Sequence, residues 1–338
     1  MSYDGKVLAR AKDIIASKRQ ANEEERASRR AEVASRVPAA METEAEISLL
    51  MTGVASEALK KGSDAGRAVE DARGRCEALL SKRAELLRSC GYPADYIDEI
   101  YDCPKCRDTG YVLGKPCSCL KAVYRSEAVR ELSSMLCTDG QCFENFSLDY
   151  YDRGINREAG SSPHQIMRNV FELCRDYADS FGSADSNVSN VLFRGGTGLG
   201  KTFLAASIAK VVSEKGFSVV YDTAISVIEA FELQKFDRGG DGAEEAASRV
   251  RRYNNCDLLI LDDFGTEMTT NFTQSAFYSL VNGRLLRGGK TIITTNLTED
   301  ELRRRYSPQI VSRLEGEFLV LNFAGRDIRA IKRERGLK

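Results

Sequence analysis

The sequence predicts an α/β fold built on a five-stranded parallel sheet, preceded by a helical region and a small cysteine module. Three observations lead there. The segment Gly195-Gly196-Thr197-Gly198-Leu199-Gly200-Lys201-Thr202 fits G-x-x-x-x-G-K-[ST] and lies between the apolar strand Val191–Phe193 and a helical stretch, Phe203 to Val212. Four further strand candidates, Phe217–Asp222, Leu258–Asp262, Thr291–Thr295 and Phe318–Asn322, are separated by segments long enough for helices, the alternation that builds a parallel sheet. Ahead of them Cys103, Cys106, Cys117 and Cys119 form the pattern C-x2-C-x10-C-x-C.

At 338 residues the chain has room for two or three domains, each with its own core. The 49 Lys+Arg against 50 Asp+Glu leave a formal charge of −1, so no bulk basic excess advertises nucleic acid and any such contact must be local. No run of about 18 apolar residues occurs, and the N-terminus opens onto charged helix. The expectation is a soluble, cytoplasmic protein without membrane contact. In a reducing, nucleotide-rich compartment the 10 cysteines stay free or bind metal.

From Lys6 to Arg36 the chain is rich in Ala, Glu, Arg and Lys, which favours an exposed or coiled helix. Pro38 interrupts it, and helical stretches follow at Glu44–Leu59 and Ala65–Ser89, closed by Gly91 and Pro93. Residues 1–95 thus read as a helical region, serving either as a solvated spacer or as a docking arm for a partner protein. Residues 96–121 read as a zinc module, because four thiolates at these spacings suit tetrahedral Zn²⁺; free cysteines and an Fe–S cluster are the alternatives. Metal would then supply much of the module's folding free energy. A linker helix occupies 122–142, and the α/β domain 143–338. Cys76, Cys90, Cys137, Cys142, Cys174 and Cys256 show no ligand pattern, and Gly182–Ser189 and Gly239–Gly242 read as surface loops.

The glycine-rich segment is a P-loop: Gly195 to Thr202 turn backbone N–H groups around the phosphates of ATP, Lys201 neutralises β/γ-phosphate charge, and the Thr202 hydroxyl meets Mg²⁺. Leu258-Leu259-Ile260-Leu261 ends in Asp262, the Mg²⁺-side acid, and Asp263, placed to orient or deprotonate water. The strand before Asn296 brings a neutral amide to the same edge, where it holds the attacking water or simply forms a turn. Arg313, on a short helix, faces a neighbour's γ-phosphate or else makes a surface ion pair. Tyr221 and Thr223, with Arg249, Arg251 and Arg252, are candidates for stacking and phosphate contacts to single-stranded DNA, although core packing is the stronger reading of the apolar residues of 223–236.

Together these motifs, with Phe143-Glu144-Asn145-Phe146, Leu261 to Glu267, Thr294 to Leu297, Ile310 to Leu314 and Gly325 to Arg329, resemble the AAA+ helicase loaders of the DnaC/DnaI type and their relative IstB, the transposition helper ATPase. The resemblance covers Phe143–Lys332. It implies slow, switch-like ATP hydrolysis, since Asp263 stands where most AAA+ proteins carry Glu, with Asn296 as sensor 1, Arg313 as arginine finger and Arg329 as the sensor-2 arginine, Arg326 competing for that role. About 16 residues follow the last strand, too few for the full lid domain on which most AAA+ proteins carry sensor 2. It further implies ATP-dependent homo-oligomers, single-stranded DNA and a hexameric replicative helicase as partners. The cysteine module matches the zinc-binding, helicase-docking region of DnaI-type loaders, which IstB proteins lack. A transposition helper, and a nucleotide-gated adaptor with little turnover, are the rival readings.

Overall fold

The computed structural model describes residues 3–58, 65–136, 140–155, 160–183, 190–236 and 241–336. Two compact units are present, Lys12–Leu120, and Met1–Ala11 together with Lys121–Lys338.

The unit Lys12–Leu120 holds most of α1 (Gly5–Arg36), α2 (Pro38–Ala58), α3 (Ala65–Ser89) and a hairpin of β1 (Tyr111–Val112) and β2 (Lys115–Pro116). Helix α2 starts at Pro38, earlier than the expected Glu44. Proline fits a first helical position, where its missing N–H has no partner to lose. Val33, Val37, Ala40, Leu87 and Ile97 form the small core. Beside it the Arg83 guanidinium reaches Glu44 at 2.6 Å and Asp98 at 2.5 Å, and Glu44 also meets Arg30 at 3.3 Å. One buried arginine therefore ties α2, α3 and the segment after α3 together.

The larger unit contains most of α4 (Ser118–Leu136), two 3-10 turns (Phe143–Asn145 and Leu148–Tyr150), α5 (Pro163–Ser180), β3 (Val191–Arg194), α6 (Lys201–Glu214), β4 (Val219–Thr223), α7 (Ala224–Phe236), α8 (Asp241–Asn255), β5 (Leu258–Phe264), α9 (Asn271–Arg287), β6 (Lys290–Thr295), α10 (Glu299–Arg305), α11 (Pro308–Glu317), β7 (Leu319–Asn322) and α12 (Ile328–Glu334). The five strands form a parallel sheet in the order β4-β5-β6-β3-β7. This is a parallel α/β sheet with helices on both faces, as the sequence predicts.

Successive side chains along a strand face opposite sides, and both sides here are buried. Phe193, Leu258, Ile260 and Ile292 pack with Met167, Leu204 and Ile208 of α5 and α6. Leu192, Leu259, Leu261 and Ile293 pack on the other side with Val227, Phe277 and Leu314 of α7, α9 and α11. Because all five strands run parallel, their carboxyl ends lie along one edge, where β3 feeds the P-loop and β5 carries its two acids. Strand β4 begins two residues later than expected, because Phe217 packs against Phe181 instead of joining the ladder. Asp241 and Gly242, expected in a loop, open α8; residues 184–189 and 239–240 of the expected loops lie outside the described residues. Among the described residues no helix is long and apolar enough to cross a membrane.

Arg284 is fully buried and has carbonyls where a carboxylate would be usual. Its guanidinium donates to Tyr253 O at 2.6 Å, Cys256 O at 3.1 Å, Lys290 O at 2.6 Å and Thr291 Oγ1 at 3.0 Å, joining α9 to the end of α8 and the start of β6. Removing it strands several buried acceptors. Arg284→Met should therefore cost at least about 3 kcal/mol. Thermal unfolding should show the midpoint lowered by about 6–12 °C, and a shift below about 2 °C would contradict the role given to Arg284.

Candidate nucleotide site and cysteine centre

The loop between β3 and α6 is held from several directions. Gly195 N–H donates to Thr295 O at 3.3 Å, Tyr151 OH donates to Leu199 O at 2.9 Å, and Ile328 N–H donates to Gly198 O at 2.9 Å. Gly198 has φ +74, and a Cβ there would overlap the Asp327 carboxylate, so only glycine fits. Asp327 in turn caps α12 by accepting Arg329 N–H at 2.8 Å.

Lys201 opens α6 and is 5% exposed. Its ammonium donates to Gly195 O, Gly196 O and Asn296 Oδ1, each at 2.7 Å. Burial pushes its pKa down, nearby Asp263 and Asp262 pull it up, and Arg329 pushes it down again. The ammonium is thus held by backbone and amide dipoles that phosphate oxygens can replace at little structural cost.

Asp262, also 5% exposed, gathers hydroxyls from three elements. Tyr221 OH donates to Oδ2 at 2.7 Å, Thr294 OH donates to Oδ1, and Thr202 Oγ1 lies 3.1 Å from Oδ2. The Thr202 hydroxyl and the Asp262 carboxylate are hard oxygen donors side by side, which suits Mg²⁺. The next residue, Asp263, sits at the register shift between Leu261 and Phe264, with φ +55. Partial burial, and then repulsion from Asp262, raise its pKa above the usual carboxylate range, against the pull of Lys201 and Arg329.

These groups open on a cavity of about 340 Å³ lined by Thr197 to Phe203, Asp263, Thr266, Asn296 and Arg329, with Asn145, Phe146 and Tyr150 on another wall. The size falls in the range of small-ligand sites. Phe146 packs on Phe171 at 5.3 Å and Phe203 at 5.6 Å between ring centres, which fixes an apolar surface beside the phosphate loop. Arg326 pairs with Glu334 at 3.1 Å and does not line the cavity. Arg313 is half-exposed, lies 3.5 Å from Glu317, and does not line it either. The site is therefore assembled from Lys201, Thr202, Asp262, Asp263, Asn296 and Arg329.

Sequence reasoning missed the hydroxyls of Thr294 and Tyr221 on Asp262. Thr294 neighbours Asn296 in the Thr294-Thr295-Asn296 run and could have been suspected; Tyr221 carries no such signal. Its assignment as a DNA-stacking residue is corrected, because its ring is buried and its hydroxyl is committed to Asp262. Arg249 is paired with Asp222 at 3.2 Å and Arg252 with Asp4 at 2.5 Å, leaving exposed Arg251 from that group.

In the other unit, the sulfurs of Cys103, Cys106, Cys117 and Cys119 all lie within 4.8 Å of one another. Tetrahedral zinc with Zn–S of about 2.3 Å places sulfurs about 3.8 Å apart. The pairs Cys103–Cys117 at 3.8 Å and Cys106–Cys119 at 3.4 Å are compatible with that ion. Buried Asp108 shapes the first knuckle by accepting Cys103 N–H at 2.8 Å and Asp102 N–H at 3.0 Å. Leu113 and Gly114, both with positive φ, turn the hairpin that delivers the second pair. Cys119 lies in the first turn of α4, earlier than the helix expected from Ala122, and its N–H helps lower the Cys117 thiol to about 6. Cys76, Cys90, Cys142, Cys174 and Cys256 lie outside this cluster, and Cys137 lies outside the described residues.

Residues 180–310 match the family of IstB-like ATP binding proteins. The replicative helicase loader DnaC of Escherichia coli K12 is 25% identical over 146 residues, 43% of this chain and 57% of that protein. A chromosomal replication initiator, DnaA 2 of Protochlamydia amoebophila, is 27% identical over 169 residues, 48% of this chain and 34% of that protein. The chain thus spans about half the length, or less, of these relatives. A crystal structure of the DnaC helicase loader aligns at 21% identity and a TM-score of 0.42, over 54% of this chain and 98% of the other.

Two expectations follow from the geometry. Lys201→Ala should weaken ATP binding by more than about 10-fold, whereas Asp263→Asn should bind within about threefold of the parent and lose about 100-fold in turnover. Asparagine tolerates the left-handed backbone of position 263, so this variant removes charge without disturbing the fold. Calorimetric titration with ATP and a phosphate-release assay separate the two effects, and an equal loss of ATP affinity in both variants would contradict the division of labour. For the thiol cluster, elemental analysis should find about one zinc per chain. Chelation should unfold the cysteine module and spare the P-loop unit, whereas a metal-free, folded protein would remove the basis of the site.

Proposed function

We propose that the chain is a DnaC/IstB-like AAA+ protein that hydrolyses ATP and loads a hexameric replicative helicase onto single-stranded DNA, a reading supported by the IstB-like family match and the DnaC relative. The observation that carries the reading is the division of the charges. One chain supplies the phosphate loop, Lys201, Asp263, Asn296 and Arg329 to one cavity, with Asp262 held against Thr202 of the loop, yet Arg313 does not line that cavity and pairs with Glu317. An arginine so placed would reach a nucleotide only on a neighbouring subunit, which links turnover to assembly.

The chain's own groups have separable tasks. The P-loop amides and Lys201 bind and orient the phosphates, and the Phe146 wall receives the base. Thr202 and Asp262 would hold Mg²⁺, which when bound neutralises phosphate charge. Asp263 accepts a proton from the water that Asn296 helps to place. The ADP state would loosen the assembly and release the helicase. A cytoplasmic setting, with zinc at the four cysteines and a helicase-docking role for that unit, belongs to the same reading. The IstB-like family match favours one rival, a transposition helper that remodels DNA for a recombinase.

Capture of a purified hexameric helicase by the full chain, together with ATP turnover stimulated by single-stranded DNA, is the expected result. Stimulated turnover without helicase capture would favour the transposition helper, and ATP binding without turnover would favour an adaptor. Arg313→Ala subunits should bind ATP normally and hydrolyse it poorly, and mixing them with Asp263→Asn subunits should restore part of the activity. No recovery despite demonstrated co-assembly would remove Arg313 from the neighbour's site.

A further inference from the structure

We propose that Thr294 and Thr266 are positioning residues that clamp Asp263 in a left-handed backbone conformation and thereby aim its carboxylate into the nucleotide cavity. Among the described residues only Arg107, Asp108, Leu113 and Asp263 combine a side chain with positive φ, and Asp263 alone belongs to the ATPase unit. A side chain there costs energy, less for aspartate than for longer residues, so the conformation is held where its surroundings over-determine it. Asp263 is pinned on both flanking peptides. Its N–H donates to Thr294 Oγ1 at 3.0 Å, and its C=O accepts Thr266 N–H at 3.2 Å and Thr266 OH at 2.8 Å.

Thr294 does two things with one hydroxyl. Its proton goes to Asp262 Oδ1 while its oxygen accepts Asp263 N–H, so the side chain of one acid and the backbone of the next are fixed by the same atom. The register shift between Leu261 and Phe264 takes the Asp263 N–H out of the β5–β6 ladder, and the hydroxyl receives it. Thr294 is fully buried on β6, so neither solvent nor a mobile side chain replaces that bond. The clamp also gives a physical reason for aspartate at 263, because a short polar side chain tolerates the left-handed region better than longer ones.

The proposal rests on the ATPase reading, and its test separates the two. Thr294→Val keeps the shape and removes the hydroxyl, whereas Thr294→Ser keeps the hydroxyl. The valine variant should lose about 10- to 100-fold in kcat with KM for ATP within about threefold, and the serine variant should recover to within about threefold of the parent. A valine variant with parental kcat, or a serine variant as impaired as valine, would overturn the clamp. If the parent chain binds ATP and never turns it over, the ATPase reading fails, and a crystal structure of the Thr294→Val, Thr266→Val double variant decides the clamp alone. Asp263 relaxing out of the left-handed region supports it, and φ retained near +55 overturns it.

Discussion

Two opposite charges, Lys201 and Asp262, are buried at the same edge of the sheet, and the architecture around them follows from keeping both satisfied. An isolated buried charge is costly enough that it must find partners or neutralise. Lys201 takes three oxygens at 2.7 Å, two of them carbonyls exposed by the glycine loop and one the amide of Asn296. Asp262 takes hydroxyls from α6, β4 and β6. The parallel sheet is what makes this possible, since strands running the same way end together and deliver Lys201, Tyr221, Asp262, Thr294 and Asn296 to one edge.

Much of this was legible in the sequence because it depends on local pattern. The glycines, Lys201 and Thr202 are contiguous, and Leu258 to Asp263 shows an apolar strand ending in acids. The five strands were each located from apolar runs, with the largest offset at β4, where Phe217 joins a tertiary aromatic contact that no local rule encodes. Tyr221 and Thr294 were illegible as partners of Asp262 because their role depends on strand order, and β5 between β4 and β6 is a property of topology. The positive φ of Asp263 is likewise set by tertiary hydrogen bonds. Similarly, Pro38 reads as a break, yet it starts a helix.

The chain brings its own P-loop, Asp263 and Arg329 to one cavity, while Arg313 does not line it and pairs with Glu317. At Asp263, partial desolvation, and then repulsion from Asp262, raises the pKa, and the backbone is held in a conformation that costs energy.

The central claim is that the cavity is a nucleotide site in which phosphates displace the oxygens now holding Lys201. A crystal structure of the full chain with a non-hydrolysable ATP analogue and Mg²⁺ tests it most directly. The expected result is triphosphate inside the Gly195–Thr202 loop, with the Lys201 ammonium moved from Gly195 O and Gly196 O onto the β/γ-phosphates. Nucleotide bound elsewhere, with Lys201 still held by those two carbonyls, would contradict the account.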